Sequence, residues 1–222
     1  MSPTPLRSDS QGVSKSIGME WYDLSEARQI QWALCDSPNA KWGWAIYRCS
    51  YKPELAGIWE GLKSRIIEDS RRFIAESDAP DIVEKLDCVF VEDPALEDAS
   101  REELKRRFRA WASTESPTEE TPPPDGASRC ARYAYFIQVD EEALSSLTSS
   151  SGSISRYGYV DIVQGWKDPL PPKEATNELG SPVDNEDWMH VEAGMVVPYF
   201  YNDLDGNGER WYVHYSPPPD GV

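Results

Sequence analysis

Residues 42–51 read WGWAIYRCSY, and this stretch decides the fold. A single charge, Arg48, interrupts an otherwise aromatic and aliphatic run, which predicts a strand buried on both sides. Pro53 follows at a position that opens helices. Leu55, Ile58, Trp59, Leu62, Ile66, Phe73 and Ile74 then recur mostly at three- and four-residue steps, while Lys63, Arg65, Arg71 and Arg72 sit among acids on the other face. After Pro80 a short helical turn leads into Cys88-Val89-Phe90-Val91, an unbroken apolar run bounded by charge that suits a central strand. The three pieces form a strand, helix, strand unit.

Working outward, Ser100 and Glu103 make a capping box for a second helix, on which Leu104, Phe108, Trp111 and Ala112 trace one face. Its exposed side carries Arg101, Lys105, Arg106 and Arg109. A third strand is expected over 131–139, a short helix capped by Asp140 through Leu147, a further strand over 157–163, and an antiparallel pair over 189–201 and 210–215. The resulting fold class is α+β: a single mixed or antiparallel sheet of about six strands, with about three helices packed on one face and long polar loops. Residues 1–18 read as a flexible arm and 19–216 as one domain. Segments 113–128, 148–156 and 167–187 read as flexible loops, and 217–222 as a Pro-rich tail.

The chain has 222 residues with 22 Lys and Arg against 39 Asp and Glu, a formal charge of −17. Residues 48–109 carry 12 basic and 15 acidic side chains, a balance of −3; residues 110–222 carry 6 and 19, a balance of −13. Such a field disfavours nonspecific phosphate binding, so no DNA partner is expected and any RNA contact must be local. No apolar run reaches membrane-spanning length and residues 1–18 lack the apolar core of a secretory signal. A cytoplasmic location with no membrane partner is the expectation, and Cys35, Cys49, Cys88 and Cys130 should be reduced thiols.

Asp203 to Glu209 matches the start of an EF-hand loop, but position twelve is His214 and the flanks read as strands, so a turn is expected and no metal. His190 and His214 have no zinc spacing and read as structural or surface residues. Carboxylates carry more information. Glu92-Asp93 ends one strand and Asp140-Glu141-Glu142 another, so in a shared sheet both clusters project from one edge and form an anionic pocket able to hold a guanidinium or supply a general base. The competing reading is that these acids complement helix dipoles. Arg48, a charge inside an apolar strand, must be bridged to a carboxylate or reach into a cleft. Trp188, with other strand-edge tryptophans, offers either an aromatic platform or core packing. The Arg101, Lys105, Arg106 and Arg109 face could receive an RNA backbone or be a solvated surface.

The segment 42–51, Val91-Glu92-Asp93 with Ala99-Ser100 and Arg107-Phe108-x-x-Trp111, Arg132-Tyr133 with Asp140-Glu141, and Trp188 with Trp211-Tyr212-Val213 resemble a large set of acidic ascomycete proteins, over roughly residues 40–215. In size and compartment the chain is also similar to the fungal arginine-containing cyclodipeptide synthases. That resemblance implies a cofactor-free enzyme of secondary metabolism that takes an arginyl and a second aminoacyl group from aminoacyl-tRNAs and closes a cyclo(Arg-Xaa) diketopiperazine. Within it, Glu92, Asp93, Asp140 and Glu141 would be the catalytic acids. Arg48 and Trp188 would contact substrate, and Arg101, Lys105, Arg106 and Arg109 would contact tRNA. The other reading is a noncatalytic acidic module that binds a partner protein.

Overall fold

Strand β1 (Ala45–Arg48) is buried at every position because it is flanked on both sides and covered on both faces. The computed structural model describes residues 23–34, 40–115, 130–148, 154–155, 157–171, 173–177, 183–205 and 209–217. With β2 (Val89–Val91), β3 (Tyr135–Val139), β4 (Tyr159–Gln164) and β5 (Trp188–Glu192), β1 builds one open mixed sheet in the order β2-β1-β3-β4-β5. β1 runs parallel to β2 and β3, whereas the β3–β4 and β4–β5 pairs are antiparallel.

Seven α-helical segments are described: α1 (Glu26–Ala33), α2 (Ala56–Ala75), α3 (Arg101–Glu115), α4 (Ala131–Ala134), α5 (Glu141–Ser146), α6 (Pro198–Leu204) and α7 (Glu209–His214). Trp44, Ile46, Ile137 and Val160 pack with Trp59, Leu62 and Ile66 of α2 and with Phe200 and Trp211. Residues of opposite parity, Ala45, Tyr47, Phe136 and Val163, pack instead with Leu104, Phe108 and Ala112 of α3. Helices thus cover both faces, which corrects the expectation of one. Gly165 permits the second packing, since a Cβ there would lie 2.3 Å from the Phe108 ring.

Five strands are present among the described residues, against about six expected. Residues 198–204 and 209–214 are helices and not the expected pair of strands, so only 188–192 extends the sheet. The ring-rich composition there favoured a strand reading, but Phe200, Tyr201 and Leu204 are buried at helical spacing and Pro198 occupies the first turn. Residues 131–134 form a helical turn ahead of β3. α1, which the sequence reading left unassigned, starts at Ser25, whose side chain accepts from Arg28 N at 3.2 Å.

The arm over 1–18 lies outside the described residues. So do residues 116–128 of the first expected loop, 149–153 and 156 of the second, 172 and 178–182 of the third, and 218–222 of the tail. Within those loops, 113–115 belong to α3, Thr148 bridges Ile154, and Asp187 is buried. No helix among the described residues is long and apolar enough to cross a membrane.

α2 links β1 to β2 on one face, and the crossover containing α3 returns over β1 to β3 on the other. The carboxyl ends of β1 and β3 therefore flank the point where strand order reverses. Ligand sites of open parallel sheets form at such points.

Candidate functional site

At the carboxyl end of β3, Asp140 turns the chain into α5, and its Oδ1 accepts the Ala143 N–H at 2.9 Å. It lines a cleft of about 240 Å³ together with Arg101, Glu142, Tyr159, Asp161, Trp188 and His190. Small-molecule pockets run from about 300 to 1,000 Å³, so this volume suits an amino-acid-sized group rather than a nucleotide.

The cleft floor is set by strand register. Gln138, Asp161 and His190 are direct partners across β3, β4 and β5 and so share one face. Asp161, 2% exposed, accepts on Oδ1 from His190 Nδ1 at 2.7 Å, so it fixes which imidazole nitrogen carries the proton and leaves Nε2 for a substrate. Nε2 has no hydrogen-bond partner among the described residues. The imidazole sits 4.0 Å from the Tyr159 ring and meets Trp188 edge-on at 5.3 Å. A buried, carboxylate-held imidazole at a cleft wall is the arrangement general bases adopt.

Arg101 opens α3 and sits over Trp188, its Cζ 3.3 Å from the ring centroid, with Nη2 at 3.3 Å from Asp161 Oδ2. Across the cleft Tyr159 faces the Glu142 carboxylate. Burial and then that carboxylate raise the phenol above its ordinary range, so Tyr159 stays protonated. Burial also raises the Asp140 carboxyl, reinforced by the charges of Asp161 and Glu142 and opposed by the Ala143 N–H and Arg101. By formal charge, its three carboxylates and one guanidinium give −3 + 1 = −2. The cleft has room for a cation.

The expected site residues divide between this cleft and the neighbouring strand ends. Asp140, Trp188 and Arg101 line the cleft. Glu92, Asp93, Glu141 and Arg48 do not. Arg48 is bridged to Glu92 at 3.6 Å and donates to Ser50 O at 2.8 Å, with its guanidinium over Tyr51. Glu92 also takes Lys63, Asp93 takes Arg107 at 2.8 Å and caps Ala95, and Glu141 takes Lys52.

The expected basic face of α3 is corrected. Arg101, Lys105 and Arg109 recur at four-residue steps and turn inward, towards β4, β5 and the segments beside them. Lys105, 1% exposed, donates to Asp187, Glu102 and Lys167 O, while Arg109 donates to Gly165 O and pairs with Asp168. Only Arg106 of the four is well exposed, and it pairs with Glu103.

The sequence reading missed Asp161 and Tyr159 and took His190 for a structural or surface residue, whereas Glu142, a member of the expected Asp140-Glu141-Glu142 cluster, does line the cleft. One signal was available for Asp161: it is a lone charge inside YVDIVQ, and the argument made for Arg48 applies to it unchanged. The remaining motifs serve the fold. Asp205 is buried and accepts from Ala131 N at 2.6 Å, and Asp203 pairs with Arg210 and His214. Burial pushes the thiols of Cys49, Cys88 and Cys130 up to about 12, 11 and 12, which leaves them protonated and poorly nucleophilic. Among the described residues no group of three or more His, Cys, Asp and Glu could hold a metal ion.

Comparison of the chain with protein-family models, with curated proteins and with solved structures returns no match.

Proposed function

We propose that the cleft is the active centre of an aminoacyl-transferring, ring-closing enzyme of the arginine-containing cyclodipeptide synthase type, with aminoacyl-tRNAs as substrates. The observation that carries this reading is the pairing of an anionic wall with a carboxylate-held imidazole in one small cleft. Asp140 and Glu142 would hold the guanidinium of an arginyl group through charge-assisted hydrogen bonds. His190 Nε2 would take the proton of the attacking α-amine, with Asp161 stabilising the imidazolium that forms.

The chemistry balances without a cofactor. The α-amine of the second aminoacyl group bonds to the acyl carbon of the arginyl ester, and its proton passes to Nε2. The tetrahedral adduct then collapses, expelling the ribose oxygen, which recovers that proton from His190. One amide forms and one ester breaks. Repeating the step within the dipeptide closes the diketopiperazine.

The test is expression of the chain in a heterologous host and mass spectrometry for arginine diketopiperazines, beside His190→Gln and Asp140→Asn. Wild type should yield a cyclo(Arg-Xaa) product. His190→Gln should lower it by about 10² to 10⁴, the range for loss of a positioned general base. Asp140→Asn should act mainly through KM for the arginyl substrate. Full product from His190→Gln would remove the imidazole from the mechanism.

A further inference from the structure

Arg101 is the under-used group of the cleft. A guanidinium offers five N–H donors in a fixed plane. Here Nη2 makes one long contact, 3.3 Å to Asp161, while Nε is buried without a partner and no described residue accepts from Nη1. Buried donors are nearly always satisfied, so an arginine lining a cleft with most of its donors idle points to an acceptor brought by a ligand. The guanidinium is already held, because its Cζ lies 3.3 Å from the Trp188 centroid and Nη2 is tethered to Asp161, itself held by His190. Donors immobilised before the reaction are what stabilise charge that develops during it.

Arg101 is the guanidinium of a cleft whose carboxylates are Asp140, Glu142 and Asp161. A phosphate dianion entering a cleft of net −2 is repelled by three carboxylates. An acyl oxygen is not, because it is neutral in the ester and gains one negative charge only while a cation occupies the acidic wall. Arg101 and His190 also share Asp161, so the donor for the oxygen and the acceptor for the amine proton are fixed by one carboxylate.

We propose that Arg101 is the catalytic residue that receives the acyl oxygen, making the cleft a two-ended site for an α-aminoacyl group whose side chain is cationic. This rests on the acyl-transfer reading above and adds the oxyanion partner to it. As the amine attacks, the C=O π pair moves onto oxygen and the new charge is met by the Arg101 N–H groups. When C=O re-forms and the ribose oxygen leaves, Arg101 returns to its starting state.

Two measurements on the full chain test this separately from turnover. Calorimetry compares the phosphonate analogue of arginine, with tetrahedral anionic oxygens, against agmatine, which has the guanidinium and no acyl group. The phosphonate should bind wild type about tenfold or more tighter, the strength of one charge-assisted hydrogen bond, and Arg101→Gln should abolish that advantage while agmatine still binds. With aminoacyl-tRNA substrates, Arg101→Gln should lower kcat by about 10² to 10³ with little change in KM. Arg101→Lys should recover only part of this, since it restores charge but not the planar donors.

Equal binding of the two probes by wild type overturns the proposal, as does an unchanged kcat in Arg101→Gln. Competition by inorganic phosphate at the same concentration also overturns it, because the site would then be a phosphate site. Loss of agmatine and phosphonate binding together with a collapsed melting transition in Arg101→Gln moves the decision to Arg101→Lys. There a full phosphonate advantage and full kcat overturn the proposal, and partial loss of both supports it. A wild type that shows the Arg101-dependent phosphonate advantage but makes no diketopiperazine supports the oxygen site and sinks the cyclodipeptide reading alone.

Discussion

Two groups of acids stand at the same end of one sheet and have opposite characters. At the ends of β1 and β2, Glu92 and Asp93 meet Arg48, Lys63 and Arg107, and each of these carboxyls is held below its ordinary value, chiefly by hydrogen bonds from Lys63 and Arg107 respectively. Beside β3, β4 and β5, Asp140, Glu142 and Asp161 share one guanidinium, and burial raises Asp140. The residue types are the same; the supply of cations differs. A strand end whose charges are matched is finished as structure, whereas one with two negative charges left over has a capacity still to be filled. Position at the carboxyl edge is therefore not enough to mark a site, and local charge balance is the sharper criterion.

The largest effect should come from exchanging one acid of each kind for its amide. Asp161→Asn changes the hydrogen-bonding partner of His190 and weakens the tether on Arg101, so product formation should fall by about 10² to 10⁴. Glu92→Gln releases Lys63 and Arg48 from an ion pair at a partly exposed site, for a stability cost of about 1 kcal/mol after solvent screening and no loss of product. Parallel product assays and urea melts separate the two. Equal activity losses would erase the distinction between the regions.

Much of the matched region was legible in the sequence. Arg48 inside an apolar strand announced a carboxylate partner, and Glu92 supplies it. Ser100 capping Glu103 N and Asp140 capping Ala143 N were readable because caps are local in sequence. The open region was hidden because register assembles it. Asp161 and His190 are 29 residues apart and meet only when β5 adds to β4 beside the correct partner, a pairing that neither segment encodes alone. The inward turn of Arg101, Lys105 and Arg109 was half visible. Their four-residue spacing declares a common face, but its direction depends on Asp161, Gly165 and Asp187, which follow the expected third strand. The two C-terminal helices were lost to composition, since Tyr and Trp favour strands, while the burial of Phe200, Tyr201 and Leu204 in α6 follows the helical period.

Acidification should sharpen the contrast by a smaller margin. Lowered carboxyls such as Glu92 and Asp93 contribute stability that is present above their ordinary values of 4.5 and 3.8 and is lost as pH falls. A raised carboxyl has the reverse sign. Burial lifts Asp205 from 3.8 to about 6, so its contribution is complete below its ordinary value and disappears as pH rises through about 6. Wild type minus Asp205→Asn stability should therefore grow by at most about 3 kcal/mol between pH 7 and pH 4. Asp140 shifts in the same direction, so agmatine affinity should weaken before the Glu92 and Asp93 pairs protonate. Denaturant melts at four pH values check the first statement and calorimetry the second. Parallel stability curves for wild type and Asp205→Asn would show that its carboxyl is not shifted.

The smallest effect concerns the outer surface of α3, where the two regions meet. An RNA backbone lying on four free cations would release counterions at each, and the salt dependence of binding would steepen by about 0.7 to 0.9 per phosphate neutralised. The helix does not offer four. Lys105 is sealed beneath Asp187, Arg101 is committed to Trp188 and Asp161, and Arg109 reaches Gly165 O and Asp168. Arg106 remains, with 70% of its side chain exposed, and even it shares Glu103 with Arg107. Arg106→Gln should reduce the logarithmic salt slope of tRNA binding by less than about one, leave the melting temperature in place, and leave kcat untouched. A drop of about two or more would mean that α3 turns further cations outward when RNA binds, and the inward face would then be a property of the free protein alone.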